Sequence, residues 1–416
     1  MNKRNLYLPR PYTRREFLKL GGQGALLGFA ASHGLLVPST ATAQSVSLRL
    51  AATDGHILLP GREDYPLYVF GFVEAPVDAS HTELERFKGN VQGPAPILGF
   101  DQGAEVYVTV SNIGLQVRFD LDDSHTLHWH GFKNPISLFD GVPEVSIAVP
   151  PAADFTYFYR PKDPGTYMYH CHFEDVEHVQ MGMNGVVYVR PAQNKLPAGT
   201  PLGATTHQAG NKYVYNDGDG STRYDREWAI MLNEIDPAPH DGLELVQEFL
   251  WNTYKPSYWI MNGRAYPQTL LRNNHPSLPS QPISSLIQVN EGETALLRLA
   301  NLGYEQHAMI LPGIPMKVVG HDATLLRGPG PAPAPDLSYV TNTLYIGPGE
   351  ARDVLFTAPA KKGRRAFNRY LFRNHSAHKL TNNGASGLGG MATEVRVYPA
   401  GTLPPQTRPN QTYHVA

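Results

Sequence analysis

Tyr169-His170-Cys171-His172-Phe173-Glu174-Asp175-Val176-Glu177-His178, closed by Gly182-Met183, contains the only cysteine in the chain. The cysteine stands between two histidines. A third histidine and a methionine follow at short spacings. Thiolate, imidazole and a weak axial thioether form a blue-copper ligand set. Zinc also accepts cysteine and histidine, but the methionine favours copper. Met181 competes with Met183 for the axial role. The apolar run Gly185-Val186-Val187-Tyr188-Val189 that follows predicts a buried strand.

His125-Thr126-Leu127-His128-Trp129-His130-Gly131 is the complementary stretch. Three histidines in an apolar segment are costly unless paired or metal-bound. Alternate residues of a strand share a face, so His128 and His130 point together. His170 and His172 have the same relation and bracket Cys171. If the two strands are neighbours, four imidazoles meet on one face. Cys171 then turns to the other face and meets His125, with His178 and Met183 arriving from a loop. The expected result is a type 1 centre (His125, Cys171, His178, Met183) joined through Cys171 to a second, histidine-rich metal site.

Composition fits this reading. Charged residues make up only 17%, against 39 glycines and 36 prolines, which suits many short strands and turns. Net charge is −2, which argues against a nucleic-acid partner. Glu105–Val110 and Phe155–Tyr159 alternate as strands do. An internal repeat is visible: Gly103-Ala104-Glu105 leads a strand to Asn112, and Gly292-Glu293-Thr294 leads one to Asn301. Matching the two histidine clusters sets His170 on His375, Cys171 on Ser376 and His172 on Ala377, so the second half has no thiolate. Two β-sandwich domains are expected, at 45–192 and 226–400. A Gly/Pro/Asn/Asp-rich linker at 193–225 and a tail at 401–416 complete the mature chain. His207, His240 and His275 fall in apparent loops and read as surface residues.

The N-terminus carries Thr13-Arg14-Arg15-Glu16-Phe17-Leu18-Lys19, a Gly/Ala-rich apolar stretch and Ala41-Thr42-Ala43. Residues 1–43 are similar to a twin-arginine export signal, which predicts a periplasmic protein. In that oxidising compartment an unpaired cysteine is better explained as a metal ligand or reactive thiol.

Together these motifs resemble the multicopper oxidase and copper nitrite reductase superfamily. His125-x-x-His128-x-His130-Gly131 is similar to that family's type 1 histidine followed by two cluster histidines. His170-Cys171-His172 with His178 and Met183 is similar to its second copper motif. Asn262-Gly263 and Arg298-Leu299-Ala300-Asn301 resemble its second domain. The resemblance implies an all-β chain of two cupredoxin-like Greek-key sandwiches and copper as cofactor. It implies catalytic roles for His128, His130, His170 and His172 as type 2/3 copper ligands, and a homotrimer whose cluster a neighbouring second domain completes. That domain's candidates are His307, His321, His375 and His378.

The activity so implied passes single electrons from a type 1 copper through Cys171 to a cluster that reduces dioxygen to water. The donor would be a small-molecule or metal-ion reductant, or a redox protein. Glu174, Asp175 and Glu177 form either a solvated acidic turn or an acidic approach for a cationic donor. A nitrite-reducing enzyme with type 1 and type 2 copper is the alternative. A blue-copper electron carrier without catalysis is the third reading.

Overall fold

The computed structural model describes residues 44–329 and 334–414; the twin-arginine segment lies outside them. The first domain has eight strands: β1 (Ser45–Ile57), β2 (Leu67–Ala75), β3 (Leu98–Asp101), β4 (Glu105–Asn112), β5 (His128–His130), β6 (Ala153–Tyr159), β7 (Gly165–His170) and β8 (Asn184–Arg190). They form two sheets, ordered β2-β1-β4-β6 and β3-β8-β7-β5. Leu50, Phe72, Val106, Val108, Trp129, Tyr159 and Val187 fill the space between them. In β4 the inward residues alternate with half-exposed Tyr107 and Thr109, as a sheet with one wet face requires.

The second domain repeats the plan with β9 (Arg226–Ile235), β10 (Tyr258–Met261), β11 (Ile287–Asn290), β12 (Thr294–Asn301), β13 (His307–Ile310), β14 (Met316–His321), β15 (Thr343–Ile346), β16 (Ala351–Thr357), β17 (Asn368–Asn374) and β18 (Ala392–Tyr398). Its sheets run β10-β9-β12-β16-β14 and β11-β18-β17-β13-β15. In each domain the first strand runs parallel to the repeat strand: β1 beside β4, β9 beside β12.

Unlike β4, β12 is buried on both faces, and its sequence does not alternate. The first domain covers its outer side. There Met168 and Val186 pack against Ala229, Met231 and Ala300. Arg298, fully buried in that layer, is paired with Glu227 at 2.9 Å and Asp353 at 3.5 Å, as a buried guanidinium must be.

Three expectations need correction. First, 193–225 is a folded strap and not a loose connector. Buried Asp217 accepts hydrogen bonds from the backbone N–H of Gly220 and Thr222, at 2.8 and 2.7 Å. Tyr215 Oη donates to Asp353 of the second domain at 2.6 Å. Gly, Asn and Asp suit tight turns as well as flexible chain.

Second, His207 and His240 are not surface residues; both are buried. His207 Nδ1 lies 3.3 Å from Tyr213 Oη. His240 lies on a helix, Pro237–Glu244, that packs across the domain boundary on β2.

Third, the repeat register differs. Cys171 N–H donates to Met183 O at 3.1 Å, and Asn374 N–H donates to Met391 O at 2.9 Å. The ladders β7–β8 and β17–β18 end alike there, so Asn374 and not Ser376 stands for Cys171. The ladder from β7 to β5 pairs His128 with His170, and that from β17 to β13 pairs Ile310 with Arg373. His128, His130, His170 and His172 therefore match Ile310, Pro312, Arg373 and His375.

Candidate metal centres

Strands β5 and β7 are neighbours, with His128 opposite His170 and His130 opposite Met168. This register sets the two faces. On the inner side the Cys171 sulfur is fully buried. His178 Nδ1 lies 3.3 Å from it and His125 Nδ1 3.9 Å. The ligand atoms of these three residues all lie within 4.8 Å of one another. A metal ion bonded at about 2.0–2.3 Å to each reaches all three. The Nε2 atoms of His125 and His178 have no hydrogen-bond partner. Thr126 N–H donates to the sulfur at 3.4 Å.

His178 sits on a helix, Asp175–Met181, where the sequence reading put a loop. Gly182 ends that helix with φ 119°, and a Cβ there would stand 2.8 Å from Phe70 O. Glycine is thus needed to turn the chain into β8. The turn ties the backbone of buried Met183 to both His178 and Cys171: its N–H donates to His178 O at 2.9 Å, and its carbonyl accepts from Cys171. Met181, in contrast, lines a cavity with Ile57, Val69 and Ile260 between the domains.

The electrostatics of this centre call for positive charge. Burial lowers the affinity of His178 for a proton, but the Cys171 sulfur and Asp123 outweigh it and push the pKa up to about 10. Asp123 Oδ2 stands 3.8 Å from His178 Nε2, beyond hydrogen-bond reach, and both atoms are buried without partners. His125 is held well below the usual imidazole range by burial and by neighbouring His178. It is therefore neutral at pH 7, the form that binds metal.

On the other side four imidazoles gather. Ring centroids lie 5.2 Å apart for His128 and His170, 5.1 Å for His128 and His172, and 5.6 Å for His130 and His170. The ligand atoms of His128, His130 and His170 fall within 4.8 Å of one another. Protein acceptors fix two of the rings. His128 Nδ1 donates to Asp140 O at 2.7 Å, and His170 Nδ1 donates to Cys171 O at 2.8 Å. Both Nε2 atoms then carry lone pairs that a metal can use; that of His170 lies 3.3 Å from His130 Nδ1. Burial lowers His170 to about 3 and also lowers His128 and His130. Crowded imidazoles kept neutral are a donor set that fits copper or another imidazole-binding metal.

The second-domain histidines do not join this group. His307 is fully buried, with Nε2 3.2 Å from Glu234 Oε2. His321 is half-buried and bonds Tyr339 Oη at 3.1 Å. His375 and His378 are exposed along an open groove. From the second domain the Gly347–Glu350 turn comes close to His130: a Cβ on Gly349 would stand 3.3 Å from His130 Nε2.

Sequence reasoning missed Asp123 and Asp140. Asp123 lies two residues before His125, so its proximity was a usable signal. Asp140 reaches His128 mainly through its backbone carbonyl, and nothing in its identity foretells that.

Two family models described as multicopper oxidase match residues 77–194 and 239–399. The chain is 27% identical to Laccase-20 of Oryza sativa subsp. indica over 277 residues, 66% of this chain and 40% of that protein. It is 26% identical to copper resistance protein A of Escherichia coli over 255 residues, 59% of this chain and 33% of that one. It thus spans well under half the length of these curated relatives. Among solved structures it resembles the blue copper oxidase from Nitrosomonas europaea, with TM-score 0.61, 24% identity and coverage of 85% and 86% of the two chains. It also resembles the copper nitrite reductase from the same organism, with TM-score 0.55, 16% identity and coverage of 89% and 98%. At such identities these two likenesses speak for the fold.

Proposed function

The chain belongs to the multicopper oxidase family, and on that premise we propose that it oxidises a donor one electron at a time at Cys171 and reduces dioxygen to water at the four-histidine face. His125, Cys171, His178 and Met183 would hold a type 1 copper, and His128, His130, His170 and His172 would hold type 2/3 copper. Bound copper would supply the one-electron redox chemistry and the surface where dioxygen is reduced.

One observation carries the reading. Cys171 belongs to both centres: its sulfur faces His125 and His178, and its carbonyl accepts the Nδ1–H of His170 at 2.8 Å. A few bonds and one hydrogen bond therefore link the two donor sets. The rest of the chain shapes them. Asp140 and Cys171 orient the His128 and His170 rings, and Tyr157, Phe173 and Phe70 pack around the sulfur side and exclude water. Asp123 and Glu174, beside His178, support a cationic or metal-ion donor over a neutral one.

The proposed assembly is a homotrimer. Exposed His375 and His378 and half-buried His321 lie on the second domain, where a neighbour's imidazoles can meet them. The twin-arginine segment supports a periplasmic location.

The test is copper-loaded protein assayed for metal content, a blue thiolate-to-copper band, and turnover of dioxygen against nitrite. About four coppers per chain with oxygen consumption fits the proposal. Two coppers with nitrite turnover would replace it with the reductase reading, and one copper without turnover with the carrier.

A further inference from the structure

The second domain keeps several backbone and side-chain bonds that frame the Cys171 centre. His125 bridges to Val149, and His307 pairs with Ile346. Asn112 donates from Nδ2 to Val149 O at 2.9 Å, and Asn301 donates to Ile346 O at 3.2 Å. The ladder ends set Asn374 in the place of Cys171 and Met391 in that of Met183. Asp123 stands two residues before His125, and Glu305 two before His307. Asp123 faces His178; Glu305 faces Lys379, with Oε2 2.7 Å from Nζ.

The side-chain atoms at these positions converge, as those of His125, Cys171 and His178 do in the first domain. Asn374 Nδ2 lies 3.4 Å from His307 Nδ1 and 3.5 Å from Met391 Sδ. Lys379 Nζ lies 3.4 Å from the same His307 Nδ1 and 2.8 Å from Gln306 O. An amide N–H and an ammonium both point at Nδ1, so Nδ1 carries the lone pair. Nε2 then carries the proton and faces Glu234 Oε2 at 3.2 Å, although neither atom completes a hydrogen bond. His307, Asn374 and Met391 are all fully buried, and Lys379 is 6% exposed. A buried ammonium persists only with its donors satisfied, and Glu305, Gln306 and His307 satisfy them.

We propose that the second domain is a copper centre made metal-independent, in which the Lys379 ammonium supplies the positive charge that copper brings to the first domain. Two residues, Asn374 for a thiolate and Lys379 for an imidazole, separate it from a working type 1 site formed with His307 and Met391. The proposal rests on the type 1 reading of His125, Cys171, His178 and Met183.

The test uses the full chain with Cys171→Ser, which silences the first centre. Adding Asn374→Cys and Lys379→His should bring back an intense thiolate-to-copper band and about one more bound copper than Cys171→Ser alone. A folded variant with neither overturns the proposal. Absence of a blue band in the natural chain would instead overturn the first-domain reading. If the variant does not fold, Lys379→Met decides. It should lower the melting temperature by about 5 °C or more, and by a similar amount in a Glu305→Gln background. Disappearance of the loss in that background would reduce Lys379 to an ion-pair partner of Glu305, and the proposal falls.

Discussion

His125 and His307 occupy the same place in successive domains, both fully buried, yet they meet opposite surroundings. His125 turns Nδ1 toward a sulfur and leaves Nε2 without a partner. His307 turns Nδ1 toward an amide and an ammonium and sets Nε2 against a carboxylate. The first environment leaves a sulfur and two imidazoles free to hold a metal; in the second an ammonium and an amide occupy the Nδ1 side, while Nε2 is unbonded there as well. The same strands, register and packing thus serve two solutions to one electrostatic demand. The choice is made by the residues at two positions: Cys171 or Asn374, His178 or Lys379.

The sharpest way to break this contrast is at the sulfur. Cys171→Ser should abolish the blue band and donor oxidation in copper-loaded protein, read by absorption and oxygen uptake. Asn374→Ser should leave both intact. A surviving band in the first variant would sink the type 1 assignment. The next effect lies on the four-histidine face. His128→Ala with His130→Ala should remove copper, measured by elemental analysis, and abolish oxygen uptake while the blue band stays. Ile310→Ala, at the position matching His128, should change neither. Unchanged copper in the histidine variant would mean that the second centre is elsewhere.

The convergence of the first-domain histidines and Cys171 was legible because its logic is local. Alternation along a strand decides that His128 and His130 share a face, and that Cys171 opposes His170 and His172. That holds before the neighbours of either strand are known. The two-sandwich architecture was legible from the Gly103 and Gly292 repeat, since β4 and β12 have equal length and similar leads. The register of the second domain was not. Matching clusters by residue type drew His375 onto His170, whereas backbone pairing of β17 with β18 sets Asn374 opposite Met391. The loop from Asn374 to Met391 is longer than that from Cys171 to Met183, so the sequence does not fix where the gap falls. His240 misled for a related reason: its helix is short and polar in composition, and only tertiary packing buries it.

A smaller test concerns the carboxylates behind the two centres. Asp123 faces His178 at 3.8 Å without a hydrogen bond, whereas Glu305 closes on Lys379 at 2.7 Å. Partners behind metal ligands typically contribute about 10–100-fold to metal affinity, and Asp123 acts by charge alone. Asp123→Asn should therefore weaken copper at the blue centre toward the low end, about 10-fold, in a chelator competition read at the blue band. Glu305→Gln should leave that affinity unchanged and lower the melting temperature only slightly, because Glu305 is partly exposed. Equal effects of the two variants on copper would erase the distinction.

His240 gives the contrast its reference point: a buried imidazole with neither metal nor ammonium beside it. Its Nδ1–H donates to Tyr68 O at 2.6 Å, and its Nε2 is buried without a partner. Burial lowers its pKa to about 4, against 6.5 for a free imidazole, although the Tyr68 carbonyl and the charges of Asp241 and Asp236 pull the other way. Above pH 6.5 the ring is neutral in both folded and unfolded chains, and its contribution is fully present. Between 6.5 and 4 only the unfolded chain takes the proton, so stability falls as the pH drops through that window. The loss approaches about 3 kcal/mol by pH 4. In copper-free protein, His240→Gln should remove that part of the pH dependence. At pH 7 it should cost only about 1 kcal/mol for the altered bond to Tyr68. Denaturant melts of the parent and the variant at pH 7 and pH 5 measure the difference directly. A pH slope that survives the substitution would mean that other buried imidazoles carry the acid sensitivity. His125 and His170 are the first to suspect, because both are held neutral in the folded chain while their metal is absent.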